Sequence, residues 1–187
     1  MKPENLWQGS VQQCIFRELL EAFSRPGKVC GLSRRIEGTN AQRAVLATLM
    51  DGETTLADPH HRIAAADWPL LQARRCAVES ARYVVADGGR APDFQPAMGS
   101  LESPELGATL LIAVATLGDG PLAMELAGPG IDNRRTVRLD GLHVGWLERR
   151  TEWVAAFPLG VDLLFIDSKR IVALPRTTRV ATTVEAT

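Results

Sequence analysis

The chain is poor in several residue types, and each shortage removes a class of function. Lysine occurs only at Lys2, Lys28 and Lys169, so the basic charge is carried almost wholly by arginine. One tyrosine and five phenylalanines are too few for the aromatic platforms on which single-stranded nucleic acids stack. A net charge of −1 and an isoelectric point near 6.3 leave no basic field for nucleic acid or anionic membranes. No apolar run approaches the roughly 18 residues of a membrane span, and M-K-P-E-N-L-W-Q at the start lacks the apolar stretch of a signal peptide. A cytoplasmic protein is therefore expected.

Cys14, Cys30 and Cys76 are odd in number and widely spaced, which argues against a disulfide framework or a zinc ribbon; they read as small buried hydrophobes. Of the three histidines, His60 and His61 are adjacent, so their rings diverge on a helix or a strand, and His143 is not at ligand spacing from them. No metal site is expected, and the pair reads as solvent-exposed. Absent too are G-x-x-x-x-G-K-[ST], G-x-G-x-x-G and G-x-S-x-G. Gly128-Pro129-Gly130 is a poor substitute for a phosphate loop, because its proline has no N–H to offer an anion; a structural turn is expected there.

What the sequence does hold is enough apolar side chain, 45 % of residues, to build one core. We read residues 1–187 as a single α/β domain, with 1–9 and 181–187 as peripheral tails. The chain is organised around F-P-L-G-V-D-L-L-F-I-D-S-K-R-I-V-A-L-P-R-T-T-R-V, residues 157–180. Its runs Val161 to Ile166 and Ile171 to Leu174 are almost continuously apolar, the pattern of strands covered on both faces. Folded about residues 168 and 169 they make a hairpin that sets Asp162 opposite Pro175, one position from Arg176. A buried carboxylate needs a partner. Either Asp162 pairs with Arg176 or caps backbone N–H groups, or Arg176, Thr177 and Thr178 form a cradle for a phosphate or phosphonate oxyanion.

Upstream, an apolar stripe from Val11 to Phe23 predicts a helix capped by Ser10 and ended by Arg25-Pro26-Gly27. Val29 to Leu32 reads as a strand, Ala41 to Met50 as a helix capped by Thr39, and Thr54 to Ala57 as a strand. Asp67-Trp68-Pro69 opens a helix to about Arg75. Tyr83 to Ala86 is a strand, and residues 90–105 are loop with one helical turn near Met98. Ala108 to Ala115 and Leu122 to Ala127 read as a second hairpin turning at Gly118 to Gly120. Asp140 then caps a helix to about Val154, with Leu142, Trp146 and Trp153 facing in. The expected fold is one mixed sheet with antiparallel hairpins at its centre and helices on both faces.

No convincing acid–base set is apparent. Glu105, just before a buried strand, is either a general base or a carboxylate bonded to backbone N–H groups. With Asp162 and Arg176 it completes the weak catalytic candidates. Arg34-Arg35, Arg74-Arg75, Arg134-Arg135 and Arg149-Arg150 are solvated faces or a docking surface, to which some of Trp7, Trp68, Trp146 and Trp153 could add anchors.

Four stretches also carry a family resemblance. F-R-E-L-L-E-A-F-S-R-P-G (16–27), P-E-L-G-A-T-L (104–110), G-P-G-I (128–131) and F-P-L-G-V-D-L with A-L-P-R-T-T resemble, in order, the motifs of the PhnH family, a subunit of the bacterial carbon–phosphorus lyase system. Arg25, Pro26, Gly27, Gly107, Gly128, Gly130, Pro158, Gly160 and Pro175 are the structural positions of that pattern. The resemblance implies an α/β fold similar to pyridoxal-phosphate-dependent transferases, without the cofactor. The sequence agrees: Lys2 is terminal, Lys169 lies in a hairpin loop, and Lys28 has no phosphate-binding motif beside it. It also implies homodimers in isolation and a heteromeric complex in the cell. That complex would couple alkylphosphonates to the ribose of ATP with release of adenine, this chain being mainly architectural. The alternative is a stand-alone enzyme or binder of a small phosphonate, phosphorylated or ATP-derived ligand at Arg176, Thr177 and Thr178.

Overall fold

A computed structural model describes residues 6–33, 36 and 38–184; Lys2 and the Arg34-Arg35 pair lie outside them. Helix α1 (Gly9–Ser24) buries Ile15, Leu19 and Ala22, the helical spacing that brings side chains to one face. Its cap position is Gln8, so Ser10 lies inside the helix. Strand β1 (Cys30–Gly31) leads to α2 (Ala41–Leu49), which is capped by Asn40 rather than Thr39: the Asn40 side chain accepts from Arg43 N at 2.8 Å. Then come β2 (Thr55–Ala57), α3 (Trp68–Leu71), β3 (Arg74–Arg75), β4 (Tyr83–Asp87), β5 (Thr109–Ala113) and β6 (Thr116–Ala127). β7 (Arg135–Asp140), α4 (Gly145–Trp153), β8 (Asp162–Ile166), β9 (Arg170–Leu174) and β10 (Arg179–Val184) complete the order.

Seven strands form one sheet in the order β1-β9-β8-β5-β4-β2-β3. From β8 to β3 every pairing is parallel, and β9 is antiparallel to both of its neighbours. The β8–β9 hairpin has the expected register: Ile166 faces Ile171 and Leu163 faces Leu174. The other expected hairpin is not formed. β5 has parallel partners on both edges, so β6 has no edge of β5 to join. It crosses instead into a second, antiparallel sheet, ordered β10-β6-β7. Gly118 to Gly120 are an irregularity inside β6, where Leu117 and Leu122 both face Leu139.

Smaller corrections follow from tertiary pairing. The helix begun at Asp67 ends at Leu71, with Gln72 in the left-handed region (φ 58), and Arg74–Arg75 pair with β2. Asp140 ends β7 and does not cap a helix; α4 begins at Gly145. Met98 bridges Gly107 as extended chain, and the helical turn of that loop is at Pro104–Leu106. Residues 181–184, expected as tail, belong to β10.

The continuous apolar runs are explained by two cores. On β4, β5 and β8, Val85, Leu111, Leu164 and Ile166 face α1 and α2. Their chain neighbours Val84, Ala86, Leu110, Ile112, Leu163 and Phe165 face the other way. That second side is covered by α4 together with β6 and β7 of the small sheet (Trp146, Trp153, Leu117, Met124, Leu139), not by helices alone. Each large side chain so buried contributes about 1.5–3 kcal/mol. No helix among the described residues is long and apolar enough to cross a membrane.

Candidate functional site

β8 begins at the amino end of the parallel strands, and there Asp162 meets Arg176, as hairpin register and spacing suggested. Arg176 Nη2 donates to Asp162 Oδ2 at 2.8 Å, Nε lies 3.3 Å from both carboxylate oxygens, and the Arg176 backbone N–H donates to Oδ1 at 2.7 Å. Arg176 Nη1 donates to the carbonyls of Pro104 (2.9 Å) and Pro158 (3.2 Å). A guanidinium has five N–H donors; four are engaged here, and the side chain is only 12 % exposed. Glu105, one residue on from Pro104, is exposed, and its carbonyl, not its carboxylate, accepts from Arg82 Nη1. Arg82 Nη1 also reaches Gly107 O at 2.6 Å.

The four motif stretches meet in space. A Cβ on Gly107 would stand 2.2 Å from Gly160 O and 2.9 Å from Arg176 Nη1, so the P-E-L-G segment closes against the F-P-L-G segment only because position 107 lacks a side chain. A Cβ on Gly130 would stand 2.2 Å from Ser24 O, bringing the G-P-G turn onto the S-R-P-G turn that ends α1. Gly27 N donates to Ala173 O of β9 at 3.1 Å, and Gly128 lies against Thr177 and Thr178. From Arg25-Pro26-Gly27 through Gly128, Thr177 and Pro175 to Arg176, the motifs form one continuous seam between the two sheets.

Thr177 is exposed, while Thr178 is 2 % exposed and its Oγ1 has no hydrogen-bond partner. Beside it Arg150, 3 % exposed, donates through Nη2 to the carbonyls of Pro175 and Thr178, each at 2.8 Å. Burial pulls Arg150 down to about 10, with the Asp162 charge acting in the opposite direction. Arg150 is thus no solvated partner of Arg149, and it went unnoticed as a site residue because both of its acceptors are carbonyls distant in sequence. Asp167 was missed because one of its donors, Leu117 N, is distant in sequence, while those from Lys169 and Arg170 sit within a short hairpin turn. It is buried at the other end of β8 and accepts from the backbone N–H groups of Leu117, Lys169 and Arg170 and from the Arg170 side chain.

The carboxyl ends of the parallel strands are built differently. After β2, Asp58 organises a tight turn by accepting from Arg62 N and Ile63 N, each at 2.8 Å. Within it His60 is buried, contrary to expectation, because its Nδ1 accepts from Asp87 N of β4 at 2.9 Å and its ring packs on Phe94. His61 is exposed and held at φ 54, a conformation that non-glycine residues adopt at a cost. His61, Asp58, Ile63, Trp68, Arg75 and Cys76 line a cavity of about 370 Å³ at the ends of β2 and β3. Over it Arg75 Cζ stands 3.9 Å from the centre of the Trp68 ring. No group of metal-ligating residues occurs among the described residues.

Among the described residues the arginine doublets do not form one surface. Arg74 donates to Glu53 O at 2.8 Å, Arg134 pairs with Glu125, Arg135 donates to the carbonyls of Arg25 and Pro26, and Arg149 reaches Gln95 and Glu152. Trp146 and Trp153 are buried, Trp146 meeting Phe94 edge-on and Trp153 stacking with it, which removes them as anchors for a partner. Trp7 and Trp68 stay half-buried.

Comparison with known proteins identifies the family. Residues 4–181 match the family model described as bacterial phosphonate metabolism protein (PhnH). The chain is 43 % identical over 175 residues to a putative C-P lyase subunit protein, HtxG, of Stutzerimonas stutzeri, covering 94 % of this chain and 88 % of the relative. It is 31 % identical over 179 residues to the PhnH subunit of alpha-D-ribose 1-methylphosphonate 5-triphosphate synthase of Rhizobium meliloti (strain 1021), covering 89 % of this chain and 88 % of the relative. The chain belongs to the PhnH family of bacterial phosphonate metabolism proteins.

Proposed function

We propose that this chain is a subunit of a phosphonate-degrading C–P lyase assembly. In it the chain takes part in the transfer of an alkylphosphonate to the ribose of ATP with release of adenine. The observation that carries this is the end-to-end match to two relatives named as subunits of such systems. Its part is mainly architectural. The motif residues Asp162 and Arg176 spend their hydrogen-bonding capacity on each other and on the carbonyls of Pro104 and Pro158, which supports a role in holding shape. The same reading places the protein in the cytoplasm, as a homodimer in isolation and as one part of a heteromeric complex in the cell.

It also includes a fold akin to the pyridoxal-phosphate-dependent transferases without their cofactor. Lys28 is poorly placed to hold such a cofactor as a Schiff base, because its Nζ is held by Glu21 at 2.6 Å. The competing cradle at Arg176, Thr177 and Thr178 would leave its ligand one free Arg176 N–H and one exposed hydroxyl. The test is complementation: in a strain lacking its own subunit of this family, the chain restores growth on methylphosphonate as sole phosphorus source and co-purifies with the remaining subunits. Failure of a soluble, folded chain to do either, or turnover of phosphonate by the chain alone, would overturn the proposal.

A further inference from the structure

The geometry points to a second feature that stands apart from the assembly role. We propose that the cavity at the carboxyl ends of β2 and β3 binds a small organic oxyanion, its charge on Arg75 and its flat or apolar part against Trp68 and Ile63. The location is the first argument. The cavity opens at the carboxyl ends of two parallel strands, β2 and β3, the end of an open parallel sheet at which ligands bind, one strand away from the β2/β4 divergence that His60 fills. The cavity, about 370 Å³, falls within the range of pockets that enclose small organic molecules.

Its charge is the second argument. Among the described residues, Arg75 is the one doublet arginine with no hydrogen-bond or carboxylate partner, yet it is not loose: its guanidinium lies on the Trp68 ring at 3.9 Å. A cation stacked on an indole is already ordered, and its fork of N–H donors suits phosphate or carboxylate oxygens. The acids nearby are each turned to another partner, and two of them are ion-paired. Both Asp58 oxygens accept backbone N–H groups. Asp67 is paired with Arg43 at 2.8 Å and Asp87 with Arg62 at 3.2 Å. The strained His61 backbone on the cavity wall is the third argument, since a tight turn kept in an unfavourable conformation marks a place where shape is being held for use.

The experiment follows the indole N–H signals of the full chain by NMR during titration with phenyl phosphate, benzoate and inorganic phosphate. The Trp68 signal is identified by its loss in Trp68→Phe. The expected result is that phenyl phosphate or benzoate shifts the Trp68 signal and binds at least about tenfold more tightly than inorganic phosphate. The stronger of the two aromatic probes assigns the anion as phosphate or carboxylate. Arg75→Ala should weaken binding by about tenfold or more, whereas Arg74→Ala, one residue away and facing Glu53, should leave it within about twofold. Bound ligand should also slow alkylation of Cys76 at the cavity wall without protecting Cys14. The proposal is overturned if no probe moves the Trp68 signal at about 10 mM, or if Arg74→Ala and Arg75→Ala weaken binding equally.

Discussion

Arg176 and Arg75 stand at opposite ends of the parallel sheet and are treated in opposite ways. Arg176 is enclosed, shares a carboxylate, and gives its remaining reach to two carbonyls. Arg75 is exposed, stacked on an indole, and has all its N–H donors unspent. At the amino end the charges close the structure, and even Arg82, beside a neighbouring cavity of about 360 Å³, is occupied with loop carbonyls. At the ends of β2 and β3 one charge is left over beside open space. A family motif that looks chemically active can be largely consumed in holding segments together, while a residue outside every motif keeps its donors free.

The contrast can be broken or sharpened experimentally, beginning with the largest effect. Asp167 is buried, its side chain 2 % exposed, and it receives three backbone donors and the Arg170 guanidinium. Removing it as Asp167→Ala should cost about 3–5 kcal/mol in urea unfolding, because several buried donors lose their acceptor at once. A loss under about 1 kcal/mol would refute the structural role. Asp162→Ala should cost less, about 2–3 kcal/mol, since that pair is partly open to solvent. Asp162→Asn, which keeps an acceptor for Arg176 N, should cost about half as much.

Arg75→Ala should change stability by no more than about 0.5 kcal/mol by the same measurement, the opposite of the Asp162 result; a larger loss would make Arg75 a second structural clamp. The smallest effect concerns Glu21, whose carboxyl is held below its ordinary value of 4.5 chiefly by its hydrogen bond to Lys28, with Arg25 nearby. A carboxylate whose folded value is lowered favours the fold above its unfolded value, and that contribution is lost as pH falls through the folded one. Lys28→Ala should therefore move the Glu21 titration midpoint upward toward 4.5 in NMR, and an unchanged midpoint would show that Lys28 is not the cause.

How much of this could be seen in the sequence depended on the range of the interaction. The Asp162–Arg176 pair was legible because a tight hairpin fixes register by counting, and strand side chains alternate with period two. The two-sided burial of β5 and β8 was legible in their unbroken apolar runs. The partner of β6 was not, because an apolar strand followed by glycines reads as a hairpin unless one knows that both edges of β5 are taken by strands distant in sequence. The alternation of Val137 and Leu139 in β7 is a usable strand signal, and it conflicts with a helix cap at Asp140. His60 and Arg150 owe their roles to donors or acceptors far along the chain, as Asp167 does for its bond from Leu117 N, and no local pattern announces those. The cavity was hidden similarly: Trp68 and Arg75 read as parts of one helix until Gln72 turns the chain back.

Leu164 and Phe165 are joined by a single peptide bond, yet they look into different interiors. The sheet is a partition, and a methyl group added on one side has no route for relief through the other. Repacking beneath α1 and repacking beneath α4 should therefore combine with nearly additive effects, so the two halves of the molecule are free to vary separately while the strands between them hold still.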